Sequence, residues 1–242
     1  MLKASARSML GFSMTELMIG SAIGLLVIAG ALQLYMLNLR GTTDNLRLSR
    51  LNQELRATLE LLRNDLRRAG HWAIEPGAAN PADNPFQADG VDVRLGQAAG
   101  EAANSCVLYS YDLNGDRLVG VGPSGTAAPN TSNANLEQFG FRLRAGQVQM
   151  RNGGGSFDCA SGSWQAVTEQ DTEITIFGFE IAHDCINLRD LAQPCAIDEP
   201  ALLRRRVHIA IDGRSRSDNR IVQQLNSTVV VANDKLLALF TP

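Results

Sequence analysis

Asp112-Leu113-Asn114-Gly115-Asp116 sets oxygen-bearing side chains at alternate positions. That spacing matches the first half of an EF-hand-type loop, so calcium is the candidate ion for Asp112, Asn114 and Asp116. The twelfth position of such a loop would be Pro123, so its bidentate acid is missing. A second reading fits the same residues better: Asn114-Gly115 as a tight hairpin turn between 107–109 and 118–119. The three histidines, His71, His183 and His208, stand far apart with no nucleophile-and-base motif around them. No catalytic residue is expected and the chain does not read as an enzyme. Apart from calcium, no cofactor is expected.

Four cysteines, Cys106, Cys159, Cys185 and Cys195, lie in the C-terminal two-thirds. None forms a CxxC pair, which argues against zinc. An even count in an exported chain favours disulfides, and four cysteines allow three pairings. Cys106–Cys159 with Cys185–Cys195 is the favoured one, because the second pair closes a short loop around Pro194. Arg204-Arg205-Arg206 is a local basic run that strand alternation accounts for. Trp72 and Trp164 read as packing residues. With a net charge of −3 and no basic stripe, nucleic acid is not an expected partner.

These residues are carried by an uneven chain. Residues 17–39 contain no charge and run apolar for 23 positions. As a helix that run is long enough for a hydrocarbon core of about 30 Å. Lys3 and Arg7 precede it, which predicts an N-in orientation with the remainder exported. A cleaved secretory signal competes with this reading, but its apolar region is usually shorter and ends in a small-residue site. Only Ala29-Gly30-Ala31 resembles such a site. Glu16 stands at the edge of the apolar run, where a carboxylate is costly unless paired with a cation.

Beyond Gly41, Leu48, Leu51, Leu55, Leu59, Leu62 and Leu66 recur every three or four residues, an amphipathic helix stripe. Arg50–Glu54, Arg56–Glu60 and Glu60–Arg63 stand at supportive helix spacing. Gly70 is the expected stop. Strand character follows near 91–95, 106–111, 117–121, 138–144, 147–151, 164–168, 173–182, 204–212 and 222–232. Loops rich in Pro, Gly and Asn interrupt it at 75–90, 122–135 and 152–163. The expected fold is α+β: a long N-terminal helix, half transmembrane and half amphipathic, packed on a mostly antiparallel β-sheet head. The expected divisions are 1–11, 12–40, 41–70 and 71–242.

Gly11-Phe12-Ser13-Met14-Thr15-Glu16-Leu17, after a short basic leader and before a long apolar run, resembles the class III signal of type IV prepilins. The resemblance implies cleavage between Gly11 and Phe12 by prepilin peptidase, with N-methylation of Phe12. It makes Glu16 the fifth mature residue, paired with a neighbouring subunit's terminal ammonium. Loss of Lys3 and Arg7 with the leader would take the side-chain charge from −3 to −5. Glu16-Leu17-Met18-Ile19, the 61–70 run and Cys106 leading into 109–116 narrow the resemblance to PilW-type minor pilins. That likeness implies co-assembly with other minor pilins and the major pilin, priming of assembly, and a place at the pilus tip, with a tip adhesin as a further partner. It places the chain in the inner membrane with a periplasmic head, and in the fibre after assembly. A tip-forming pseudopilin of type II secretion and an exported, membrane-tethered binding module are the alternatives.

Overall fold

A computed structural model of the chain describes residues 13–74, 77, 79–120, 137–153 and 156–238. Gly11 and Phe12, the expected cleavage pair, lie outside the described residues, as does the expected loop at 122–135. The chain divides into two compact units, residues 1–46 and 47–242.

One helix, α1 (Met14–Leu66), runs 53 residues. In the first unit its apolar side chains are exposed, from Leu17 and Met18 through Ile28 to Leu37. It is long and apolar enough to cross a membrane. In the second unit its buried stripe is Leu51, Leu55, Thr58, Leu59, Leu62 and Leu66. The spacing of three and four residues keeps these on one face, which is why they share one core. Leu48 was expected in the stripe but is 41% exposed, one turn before burial begins.

After Leu66 the chain turns through 67–70, and Gly70 takes φ +73°. A Cβ there would stand 2.7 Å from Gln87 Nε2, so space and backbone angle both select glycine. The carbonyls of this turn are met by residues that follow the strand Val222–Val230 in sequence. Ala232 N donates to Arg67 O at 3.0 Å, and Asn233 Nδ2 donates to Arg68 O and Ala69 O at 3.2 and 3.1 Å. Open carbonyls of the helix end are met within the turn itself, by Arg67 N on Arg63 O, Arg68 N on Asp65 O and Ala69 N on Leu66 O.

The strands form two antiparallel sheets. The first follows chain order: β1 (Arg94–Gly96), β2 (Cys106–Ser110), β3 (Gln138–Arg144), β4 (Gln147–Gly153) and β5 (Ser163–Ala166). The second is β6 (Thr172–Asn187), β7 (Ala201–Ser215) and β8 (Val222–Val230), with β9 (Lys235–Leu237) paired to the start of β7. The core lies where the leucine stripe meets both sheets, at Val107, Tyr109, Phe141 and Val148 of the first and Ile174, Phe177, Val207, Ile209 and Ile211 of the second. Gly213 on β7 lets Leu55 come close, since a Cβ there would lie 3.2 Å from Leu55 Cδ2.

Three expectations change. Residues 107–109 pair with β1 and β3, and 117–120 form bends and turns, so Asn114-Gly115 closes no hairpin. The reason is competition for backbone N–H groups: side-chain carboxylates take those of residues 113–115, 117, 118 and 120, as set out below. The sheet expected as one is two, and β6 and β7 outrun their predicted spans. Together these two strands make a hairpin whose pairing extends from Thr172↔Ser215 to Asn187↔Ala201. The structure contains Cys106–Cys159 and Cys185–Cys195. Cys106 and Cys159 form a small core with Leu108, against which Phe157 and Trp164 pack.

Candidate functional site

The first site is the start of α1. Glu16 sits in the first helical turn, exposed, with an uncharged apolar stretch directly after it. Its Oε2 accepts from Ser13 N at 3.2 Å, a bond between first-turn positions that a carboxylate makes well. The helix macrodipole favours a negative charge there as well. Ser13 and Thr15 share a hydroxyl bond of 2.7 Å beside it. The geometry leaves a carboxylate accessible at the head of a helix able to cross a membrane. Such a group can meet a cation brought by another chain.

The second site is the acidic loop after β2. Asp112, Asp116 and Glu137 bring carboxylate oxygens within 4.8 Å of one another. Asp112 Oδ1 accepts from Gly115 N at 2.7 Å, and its Oδ2 from Ala73 N and Arg117 N at 3.1 and 3.2 Å. Glu137 Oε1 accepts from Leu113 N at 2.8 Å and Asn114 N at 3.4 Å; its Oε2 accepts from Gly120 N at 3.4 Å. Asp116 Oδ1 accepts from Leu118 N at 2.8 Å. Asn114 bonds one member of that cluster: its Nδ2 donates to Asp116 Oδ2 at 2.8 Å and its Oδ1 accepts from Asp116 N at 2.9 Å. Asp112 and Asp116 converge with Glu137, and each of their oxygens already has a donor. Glu137 is fully buried, and burial raises its carboxyl above the ordinary range, opposed by the Leu113 and Asn114 N–H groups. The sequence offered no signal for Glu137, which lies far along the chain.

The remaining polar residues of interest hold the head together. Asp65 accepts from Tyr109 Oη at 2.5 Å and Tyr111 Oη at 2.8 Å, fixing α1 to β2. Burial, then the Asp65 charge, raises both tyrosines. Glu54, expected to pair with Arg50, accepts from Glu169 N at 2.5 Å and from Thr172 Oγ1, joining α1 to the start of β6. Arg56 turns to Asn52 Oδ1 at 2.6 Å, while Glu60–Arg63 forms at 3.1 Å. The basic run is split by strand alternation: Arg205 is buried against Asp92, Arg204 meets Asp234 at 3.3 Å and Arg206 meets Asp184 at 2.5 Å. Arg142 lies 4.2 Å over the Trp164 ring. His71, His183 and His208 are exposed, and His208 Nδ1 bonds Thr228 Oγ1 at 2.8 Å.

Residues 44–231 match the family described as prepilin peptidase-dependent protein B. The chain belongs to that family. It is a type IV pilus-related family, and the matched stretch includes most of the amphipathic part of α1, the first sheet and all of the second but β9. The motif around Gly11 lies outside the match, so the two lines of resemblance rest on different residues. An uncharacterized protein of Haemophilus influenzae is 34% identical over 100 residues, 39% of this chain and 42% of that relative. The chain thus matches less than half of that relative's length. No solved structure matches the chain.

Proposed function

We propose that this chain is a minor pilin of a type IV pilus, non-enzymatic, that co-assembles with other minor pilins to prime the fibre and sit at its tip. The observation that carries the reading is Glu16, an exposed carboxylate at the head of an uncharged helical stretch in a chain of a prepilin peptidase-dependent family. A charge so placed is costly in lipid unless a cation pairs with it. The new N-terminal ammonium of a neighbouring subunit supplies that cation once prepilin peptidase has cut between Gly11 and Phe12. In a low-dielectric bundle the two charges attract strongly, so the contact forms when neighbours are in register. The likeness of 9–72 and 106–122 to PilW-type subunits supports the pilus over a secretion pseudopilus. The reading places the head in the periplasm before assembly and needs no cofactor.

Mass spectrometry of the mature chain tests the processing: the expected N-terminus is N-methylated Phe12, and Gly11→Ala is expected to retain the leader. A mature terminus elsewhere defeats the prepilin reading. A deletion strain tests the system. Lost twitching with intact protein secretion is expected, and the reverse assigns the chain to type II secretion.

A further inference from the structure

The sheet edges of this protein are guarded unequally. β1 and β5 are short, at 3 and 4 residues. β6 is long, but its outer edge is met by other segments: Phe179 N donates to Asn104 O at 3.0 Å and Ile174 N to Gly146 O at 2.9 Å. It also carries Glu173, Glu180 and Asp184. β8 has none of these devices. Its nine residues, VQQLNSTVV, hold no charge and no proline, and its pairing with β7 runs without a bulge. Edge strands usually carry at least one such protection against pairing with another chain.

The register shows which groups are left facing outward. Val231 N donates to Arg205 O, and Ser215 N donates to Ile221 O, both at 3.0 Å. Odd-numbered residues along β8 therefore bond β7, since antiparallel pairs alternate. The N–H and C=O groups of Val222, Gln224, Asn226, Thr228 and Val230 point away from β7, and all five residues are exposed. Among the described residues no strand pairs with this edge. Gln224 O accepts from the flexible Gln223 Nε2 at 3.2 Å, a contact that an incoming strand can displace.

We propose that β8 pairs antiparallel with β8 of a second copy of this chain, about a two-fold axis through Asn226. What selects a second copy is that the strand complements itself. In this register Val222 faces Val230, Gln224 faces Thr228 and Asn226 faces its own counterpart. The outward-facing backbone groups then form hydrogen-bonded pairs at all five positions. β-Branched residues meet at both ends, amide and hydroxyl groups meet between them, and no like charges oppose. A patch that matches itself in this way is what a two-fold dimer requires. Shifting the register by two residues loses the Val222–Val230 pairs. A helix anchored in the membrane would hold both copies in one plane and raise their effective concentration, so a contact this small suffices. The proposal stands apart from the filament reading, because it uses the edge of the head and a membrane anchor and requires no filament.

The test uses two differently tagged copies of the full chain, co-produced and purified from membranes in mild detergent. The parent copies are expected to capture one another. Asn226→Lys in both copies, or Asn226→Asp in both, is expected to reduce capture about tenfold by opposing like charges. Asn226→Lys with Asn226→Asp is expected to restore it. The side chain is exposed and the residue's N–H faces outward, so neither change touches the β7–β8 ladder. Misfolded variants would not be rescued by mixing. A photo-crosslinker at Asn226 should join residues 222–230 of the other copy. The proposal is overturned by absent parent capture, by capture indifferent to the charges, by losses that mixing leaves unrestored, or by crosslinks to another protein.

Discussion

At the residue scale, the head is held by charges that have left water in company. Arg205 is buried and shares Asp92 with Lys235, whose Nζ lies 3.1 Å from Oδ2. Its Nη2 also donates to Asn233 O at 2.5 Å, beside the residues that close α1. Removing one partner from a buried pair is far costlier than the pair is worth, because a bare charge remains. Asp92→Ala is therefore expected to lower unfolding free energy by about 3–5 kcal/mol in a denaturant titration. A loss under about 1 kcal/mol would show that water reaches Arg205.

Glu137 makes the second residue-scale prediction. Its folded carboxyl is raised, chiefly by burial and further by Asp116 and Asp112. The folded state thus holds the proton more tightly than the unfolded chain. The stability from this group is present below the ordinary glutamate value of about 4.3 and is lost as pH rises through the raised one. Carboxylates such as Asp218, held down to about 2 by Arg220, act in the opposite sense. A carboxyl-selective NMR titration is expected to place the Glu137 midpoint above the ordinary value, and a midpoint at or below it contradicts the geometry. Sequence spacing found Asp112 and Asp116, but Glu137 joins them through tertiary packing, which local spacing cannot encode.

At the element scale, α1 was the most legible part of the chain. Its stripe follows from leucine spacing alone, and only where burial begins had to come from the sheets. Leu55 is wholly buried and touches Gly213 of β7, whereas Leu48 is partly exposed. Leu55→Ala is expected to cost about 2–5 kcal/mol and Leu48→Ala under about 0.5 kcal/mol, read from urea unfolding. Equal costs would mean that the core extends a turn further than described. The strands were legible where apolar alternation was clean, as at Val207, Ile209 and Ile211. The 112–120 segment misled because Asn-Gly is a strong hairpin signal. Glu137, together with the segment's own Asp112 and Asp116, overrode it by capturing backbone donors that a ladder would use. β9 went unseen, because three residues carry too little pattern to distinguish from a loop.

At the scale of the whole molecule, the proposed role of Glu16 separates anchoring from assembly. The apolar stretch after it does not depend on its charge, so Glu16→Gln is expected to leave membrane fractionation unchanged. Recovery of the chain in sheared fibres should fall by at least about tenfold, since the proposed ion pair would be lost. Normal recovery would remove Glu16 from the assembly contact. The division between an apolar helix and a sheet-rich head was readable from composition. The two-sheet arrangement was not, because strand order depends on contacts far apart in the chain.

The Cys106–Cys159 bond closes a loop that contains β3 and β4 and the acidic turn. A protease that cut once inside that loop, after Arg117 or Arg144 for example, would leave two fragments still joined by sulfur. On a gel run without reductant the chain should keep its full mass, and with reductant it should fall into two bands. If the head is exported as proposed, the staple would turn a severing event into a silent nick.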